Sequence, residues 1–181
     1  MALRSTVFKA EVGVADLDRH YYQDHALVLA RHPSETDERM MVRLLAFALN
    51  ASETLEFGRG ISSEDEPALW ERDLTGAVRH WLEVGQPDER LLRRACGRAD
   101  RVSVYAYGRG LDQWWQQNAA ALDRLDKLVV WRLEGAVCQA MAALAERGMR
   151  LQFTIQDGQT LLAADAQTLL IEPVRLGGGA A

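Results

Sequence analysis

The chain has 181 residues, 48% hydrophobic and 26% charged, a composition that supports a full-sized core without disulfides or metals as staples. Its formal net charge of −5 excludes a protein that coats DNA by bulk attraction, although a local basic surface remains compatible with it. The two cysteines lack metal-ligand spacing, and neither an apolar signal core nor an apolar run of membrane-spanning length is present. We therefore expect a cytoplasmic, monomeric protein that neither enters a membrane nor is secreted.

The chain opens with a pattern that predicts a β-hairpin. Apolar and polar residues alternate over 8–14, and a second strand follows at 21–30. Pro33 and Ser34 then begin a helix, in which Ser34 and Asp37 have the spacing of a capping box. Apolar residues recur at helical spacing in this helix and predict one buried stripe, formed by Met40, Met41, Leu44, Leu45, Ala48 and Leu49.

Strands and helices alternate through the rest of the chain. In chain order we predict short strands at 53–57 and 67–72, a strand at 78–84, a helix from Pro87 to Gly97, a strand at 102–107, a helix at 111–121, a strand at 128–131, a helix at 135–146, a strand pair at 150–155 and 160–164, and a last strand at 169–174. This order predicts an α/β (α+β) fold in which helices flank a mixed sheet. The opening and closing hairpins should pair with each other or extend one edge. We expect one domain over 1–176 and a disordered tail at 177–181.

Two carboxylates stand out as candidates for a divalent cation. Asp73 precedes a turn, and Glu83 lies inside the strand that follows that turn. A carboxylate on a central strand is costly unless it is paired, protonated or bound to a metal. If the turn places Asp73 beside Glu83, Mg²⁺ or Mn²⁺ would relieve their repulsion and polarise a phosphate. On spacing alone a structural alternative is favoured, in which Asp73 caps the turn and Glu83 pairs with Arg79 or Arg94.

Several segments of the chain are long and unusual: 29–36 (LARHPSET), 65–67 with Trp70, 85–90 (GQPDER), 114–118 (WWQQN) and 154–158 (TIQDG). These segments resemble the YaeQ family, a largely uncharacterised bacterial family. The resemblance extends over nearly the whole chain. It implies a variant of the PD-(D/E)xK restriction-endonuclease-like fold, whose core contains a helix, three strands, a helix and a strand. The β-hairpins at the two ends of the chain would be additions to that core.

The resemblance also implies roles for particular residues. The metal-binding Asp of the superfamily would be Asp73, and its strand acid would be Glu83. An acid from the first core helix would be Glu38 or, as a weaker match, Glu35. The implied cofactor is Mg²⁺ or Mn²⁺, held by Asp73, Glu83 and Glu38.

One position departs from the superfamily pattern, because Gly85 stands where a lysine is expected. Gln86, or Arg90 or Arg94 from the next helix, would then contact the phosphate, and with Asp73 and Glu83 they form the candidate catalytic set. Arginine stabilises negative charge but is a poor proton acceptor. The candidate nucleic-acid-binding residues are Arg31, Arg90, Arg93, Arg94 and Arg98, and the alternative is a solvated helix face.

Three functions remain open at the level of sequence. The first is a Mg²⁺-dependent phosphodiesterase that acts on nucleic acid. The second is a nuclease-like domain that has lost its chemistry and binds nucleic acid, which the missing lysine favours. The third is a protein-interaction module in which the carboxylates are structural, a role that the net negative charge permits.

Overall fold

The computed structural model describes residues 4–59 and 65–179 and divides into two compact units. Unit 1 consists of Met1–Ala51 and Ala136–Pro173, and unit 2 consists of Ser52–Gly135 and Val174–Ala181. Each unit is built around its own sheet, whereas the sequence had predicted one mixed sheet. Four helices flank the two sheets in the described ranges.

The elements of unit 1 are β1 (Thr6–Asp16), β2 (Tyr21–Arg31), α1 (Asp37–Asn50), α4 (Gly135–Ala142, of which the first residue belongs to unit 2), β8 (Gly148–Gln156), β9 (Gln159–Ala164) and β10 (Gln167–Ile171). Its five strands form one sheet in the order β10-β9-β8-β1-β2. The opening hairpin β1–β2 and the closing hairpin β8–β9 pair through the parallel neighbours β1 and β8, as predicted.

The elements of unit 2 are β3 (Leu55–Phe57), β4 (Leu69–Arg72), β5 (Val78–Val84), α2 (Glu89–Arg98), β6 (Ala99–Ala106), α3 (Leu111–Leu122), β7 (Leu128–Arg132) and β11 (Val174–Gly177). Its six strands form one sheet in the order β11-β7-β6-β5-β4-β3. β3, β4 and β5 are antiparallel, whereas β5, β6 and β7 are parallel and need the crossover helices α2 and α3. Apolar residues of both helices pack on the β5–β6–β7 face, among them Leu92, Ala95, Leu111 and Leu122.

The first helix begins later than the sequence predicted. Ser34 does not cap it, because the Ser34 hydroxyl lies 2.7 Å from Nδ1 of His32. The cap is Thr36, whose hydroxyl accepts a hydrogen bond from the backbone N–H of Arg39 at 3.1 Å. Nine consecutive residues, 40–48, are buried, so the helix is covered all round rather than along one stripe.

The end of the chain also differs from the prediction. The expected last strand is two strands, because Pro173 has no N–H to continue a ladder. β10 pairs with β9 in unit 1, and β11 pairs with β7 in unit 2. Gly177 belongs to β11, and the backbone N–H of Gly179 donates to the carbonyl of Leu125, so order extends past the predicted start of the tail. Residues 180 and 181 lie outside the described ranges.

Two helix ends differ as well. α2 continues through Gly97 to Arg98 instead of ending at the glycine. α4 ends at Ala142, four residues before the predicted end. The N–H of Ala143 still bonds to Gln139, four residues back, but the N–H groups of Leu144 and Ala145 bond only three residues back.

Candidate functional site

Asp73 is the anchor of the turn between β4 and β5. One carboxylate oxygen accepts from the Thr75 hydroxyl at 2.6 Å and from the backbone N–H groups of Thr75 and Ala77 at 2.9 and 3.0 Å. The other oxygen lies 2.7 Å from Nη2 of Arg79, which also pairs with Asp100. The Thr75 hydroxyl contributes most to the lowered pKa of Asp73, and the two backbone donors and Arg79 act in the same direction. These contacts match the structural alternative for Asp73.

Glu83 is buried, with 1% of its surface exposed, near the end of the central strand β5. Its carboxylate accepts a hydrogen bond of 2.9 Å from the indole N–H of Trp81. Val104 is its register partner on β6, so Glu83 shares a face with Trp81 and Val104, which belong to the apolar core beneath α2. A charged carboxylate in such a position requires strong compensation, which makes Glu83 the most unusual polar residue of this strand.

The structure separates Asp73 from Glu83. The turn holds Asp73 opposite Ala77, because the backbone N–H of Asp73 donates to the Ala77 carbonyl. Glu83 lies at the other end of β5, roughly 20 Å away at about 3.3 Å per residue. The expectation that the turn brings the two carboxylates side by side was wrong. A tight turn places together residues at equal distances from it, and the partner of Leu82 on β4 is Leu69.

The other predicted metal ligand, Glu38, belongs to unit 1. Glu38 lies on the first turn of α1. Burial and, secondarily, the charge of Glu38 raise the pKa of the Cys138 thiol to about 12. Glu35, the weaker match, is buried in an ion pair with Arg43, with two contacts of 2.7 Å, and with Arg39. Among the residues in the described ranges, no three His, Cys, Asp or Glu side chains form a group that could hold a metal ion.

The side-chain amide of Gln86, in the loop after β5, is already hydrogen-bonded within the protein, which opposes the predicted contact with phosphate. The side-chain amide of Gln86 donates to the carbonyls of Tyr107 and Arg109, both at 3.0 Å. Both amide hydrogens are therefore used to tie the end of β5 to the end of β6. Gly85 has a φ of 92°, a backbone conformation that a lysine side chain strongly disfavours. Position 85 therefore differs from the superfamily pattern in its backbone conformation as well as in its side chain.

The predicted arginines of α2 lie on the exposed surface of that helix. Arg90, Arg93, Arg94 and Arg98 are all exposed, whereas Leu92 and Ala95 are buried. Arg93 pairs with Glu89 one turn earlier, and Arg98 contacts Asp65 at 3.2 Å. The remaining candidate, Arg31, belongs to unit 1, where it pairs with Asp37 and its guanidinium lies over the ring of Phe8.

One buried polar group, around His80, has no signal in the sequence. His80 Nε2 lies 2.8 Å from the Ser103 hydroxyl, and Nδ1 lies 2.9 Å from Nη2 of Arg101. Arginine only donates, so Nδ1 is the acceptor and Nε2 carries the proton toward Ser103. Burial and, secondarily, the charge of Arg101 lower the pKa of His80 to about 3. Only the register His80–Arg101 between β5 and β6 brings these residues together.

Comparison with known proteins identifies the family. The family model described as YaeQ protein matches residues 1–173. The chain belongs to the YaeQ family. It is 46% identical to the YaeQ protein of Salmonella typhi over 173 residues, 95% of this chain and 96% of the relative. It is also 46% identical to the YaeQ protein of Escherichia coli strain K12 over 170 residues, 93% of this chain and 94% of the relative.

Solved YaeQ structures have the same fold. The crystal structure of the protein from Xanthomonas axonopodis pv. citri matches with a TM-score of 0.92 and 47% identity, covering 96% of this chain and 99% of that one. The structure from Pseudomonas syringae matches with a TM-score of 0.92 and 38% identity, covering 96% and 97%. Within the ranges described for this YaeQ chain, no helix is both long and apolar enough for a membrane span.

Proposed function

We propose that this YaeQ protein is a nuclease-like protein that binds nucleic-acid phosphates through α2 and does not cleave them. Support for a nuclease-like core comes from unit 2. The antiparallel strands β3, β4 and β5 are followed by α2 and by β6, which is parallel to β5. These are the three strands, the helix and the strand that the PD-(D/E)xK resemblance implies, and the first helix of that core would be α1 of unit 1.

The observation that supports binding is the exposed arginine surface of α2. Four of the ten residues of this helix are arginines, and all four are exposed. Arg90 and Arg94 are one turn apart on the side opposite the buried residues Leu92 and Ala95. Guanidinium groups form charge-assisted, bidentate hydrogen bonds with phosphate oxygens, so this surface suits a phosphate backbone.

Loss of cleavage is inferred from the residues that would perform it. The Asp73 carboxylate is hydrogen-bonded within its turn and paired with Arg79, and it lies at the end of β5 opposite Glu83. Both amide hydrogens of Gln86 are hydrogen-bonded to backbone carbonyls, and Gly85 has no side chain. Arginines from α2 remain protonated at accessible pH and do not act as a general base. The second function proposed from sequence is therefore favoured over the first.

The test is binding of fluorescent single-stranded DNA, duplex DNA and RNA, measured by anisotropy between about 50 and 200 mM salt. We expect at least one of these to bind with an affinity that falls steeply with salt, and Arg90→Glu to weaken it about tenfold. Arg124→Glu is the matched control, since each variant changes the net charge from −5 to −7 and Arg124 is exposed outside α2. Salt-independent binding, or equal weakening by both variants, contradicts a phosphate site on α2.

A metal-dependent phosphodiesterase is the second candidate, and the burial of Glu83 favours it. A 1% exposed carboxylate on a central strand is the kind of residue that a divalent cation compensates. The antiparallel register directs Asp65 and Glu66, which precede β4, toward this end of β5, whereas Asp73 lies at the other end. Cleavage of any of the three nucleic acids with Mg²⁺ or Mn²⁺, abolished in Glu83→Gln, would establish this candidate over the first.

A further inference from the structure

The five-stranded sheet of unit 1 has one face that concentrates exposed apolar side chains. We call it the open face. Its outward residues, strand by strand, are Val7, Lys9, Glu11, Gly13 and Ala15 of β1; Tyr22, Asp24, Ala26, Val28 and Ala30 of β2; Gly148, Arg150, Gln152, Thr154 and Gln156 of β8; Gln159, Leu161 and Ala163 of β9; and Thr168 and Leu170 of β10. Eight large apolar side chains are strongly exposed in the described ranges, and five of them lie on this face: Val7, Tyr22, Val28, Leu161 and Leu170. Such concentration marks an interaction surface.

One row of the open face crosses the whole sheet. The strand registers align Tyr22, Ala15, Thr154, Leu161 and Leu170 side by side. Tyr22 is 61% exposed, Leu161 44% and Leu170 52%. The row therefore has large side chains near both ends and small ones at Ala15 and Thr154. With strands about 4.8 Å apart, it is roughly 19 Å long, which is wider than a single helix.

The charges of the open face sum to zero. Its charged residues are Lys9, Glu11, Asp24 and Arg150, and Glu11 pairs with Arg150 at 3.0 Å. A neutral face is poorly suited to nucleic acid or to an anionic membrane, both of which require excess positive charge. Two chains that each carry −5 can come together only where local charge does not oppose contact, and this face meets that condition.

We propose that a second copy of this chain covers the open face, with the two sheets packed face to face. The strand lengths and spacings give the face a projected area of roughly 700 Å², close to the ~800 Å² that each partner contributes to a standard stable interface. A sheet face is also the partner that matches a surface of this width, since packed sheets lie about 10 Å apart with their side chains interdigitated.

A two-fold axis along β8, in the plane of the interface, makes the row self-complementary. This operation sets β1 opposite β9 of the second copy and β2 opposite β10. Ala15 then faces Leu161 of the second copy, Tyr22 faces Leu170, and Thr154 meets its own equivalent. Large side chains therefore oppose small ones at the centre of the interface, as close packing requires.

The test is sedimentation equilibrium of the full-length chain across a wide concentration range. We expect wild type to associate from 20.2 kDa to twice that mass, and Leu161→Lys and Leu170→Lys each to raise the dissociation constant at least about tenfold. Leu74→Lys is the matched control, because Leu74 is fully exposed on the β4–β5 turn of unit 2 and should leave association unchanged. Circular dichroism melts establish that each variant is folded.

A wild-type chain that remains at 20.2 kDa overturns the proposal. So does a dimer that persists in both leucine variants.

Discussion

His80 illustrates how a single side chain can couple stability to pH. It is buried on β5, with Arg101 donating to one ring nitrogen and Ser103 accepting from the other, and its pKa is lowered from 6.5 to about 3. The unfolded chain binds a proton at this imidazole near pH 6.5, whereas the folded chain does so only near pH 3. Between these values unfolding takes up a proton, so stability is highest above pH 6.5 and is lost as the pH falls toward 3.

We predict that the unfolding free energy of wild type declines between pH 6 and pH 4 more steeply than that of His80→Gln. The difference in slope should approach about 1.4 kcal/mol per pH unit, which corresponds to one proton. Urea unfolding at several pH values gives both slopes, and groups common to the two proteins cancel in the comparison. Parallel slopes would mean that His80 accepts a proton without unfolding.

At the scale of elements, strand β5 determines which carboxylates can cooperate. Its first residues follow the turn that Asp73 organises, and its last residues include Glu83 beneath α2. The antiparallel neighbour β4 brings the segment before Leu69 to the Glu83 end, and the parallel neighbour β6 brings Tyr107 and Arg109 to the loop with Gln86. Any chemistry of unit 2 that involves Glu83 therefore excludes Asp73.

A calorimetric Mn²⁺ titration distinguishes the role of Asp73 at one end of this strand from the role of Glu83 at the other. We predict that Asp73→Asn lowers the melting temperature, because it weakens the turn and the Arg79 ion pair, and leaves the heat of Mn²⁺ binding unchanged. Any Mn²⁺ binding that depends on β5 should instead disappear in Glu83→Gln. Loss of Mn²⁺ binding in Asp73→Asn would show that the turn carboxylate, despite its contacts, belongs to a metal site.

At the scale of the whole molecule, the two proposed contacts use two different surfaces, one in each unit. The arginine surface of α2 lies in unit 2, while the neutral apolar open face lies in unit 1. The net charge of −5 opposes both nucleic acid and a second copy at long range, so each contact depends on a local patch. Salt acts on the two contacts in different directions. It weakens phosphate binding, whereas it favours self-association because it screens the repulsion between like-charged chains.

We predict that self-association strengthens as the ionic strength rises from about 0.01 to 0.15 M, over which the Debye length falls from roughly 30 to 8 Å. Sedimentation at the two ionic strengths measures the change, with Leu161→Lys as the control in which both values stay weak. Weaker association at the higher ionic strength would indicate an interface held by exposed ion pairs.

The sequence by itself determined the local elements and the family. Alternation over 8–14, the Asp157-Gly158 turn and the helical spacing after Pro33 depend on neighbours along the chain, and the structure has the corresponding hairpins and helix. The segments that resemble YaeQ are likewise contiguous strings, and the family match confirmed them. Only the tertiary structure decided that there are two sheets, that the Asp73 turn and Glu83 lie at opposite ends of β5, and that His80 meets Ser103 and Arg101. Those relations depend on strand register and on which strands become neighbours, and no local pattern in the chain specifies either one.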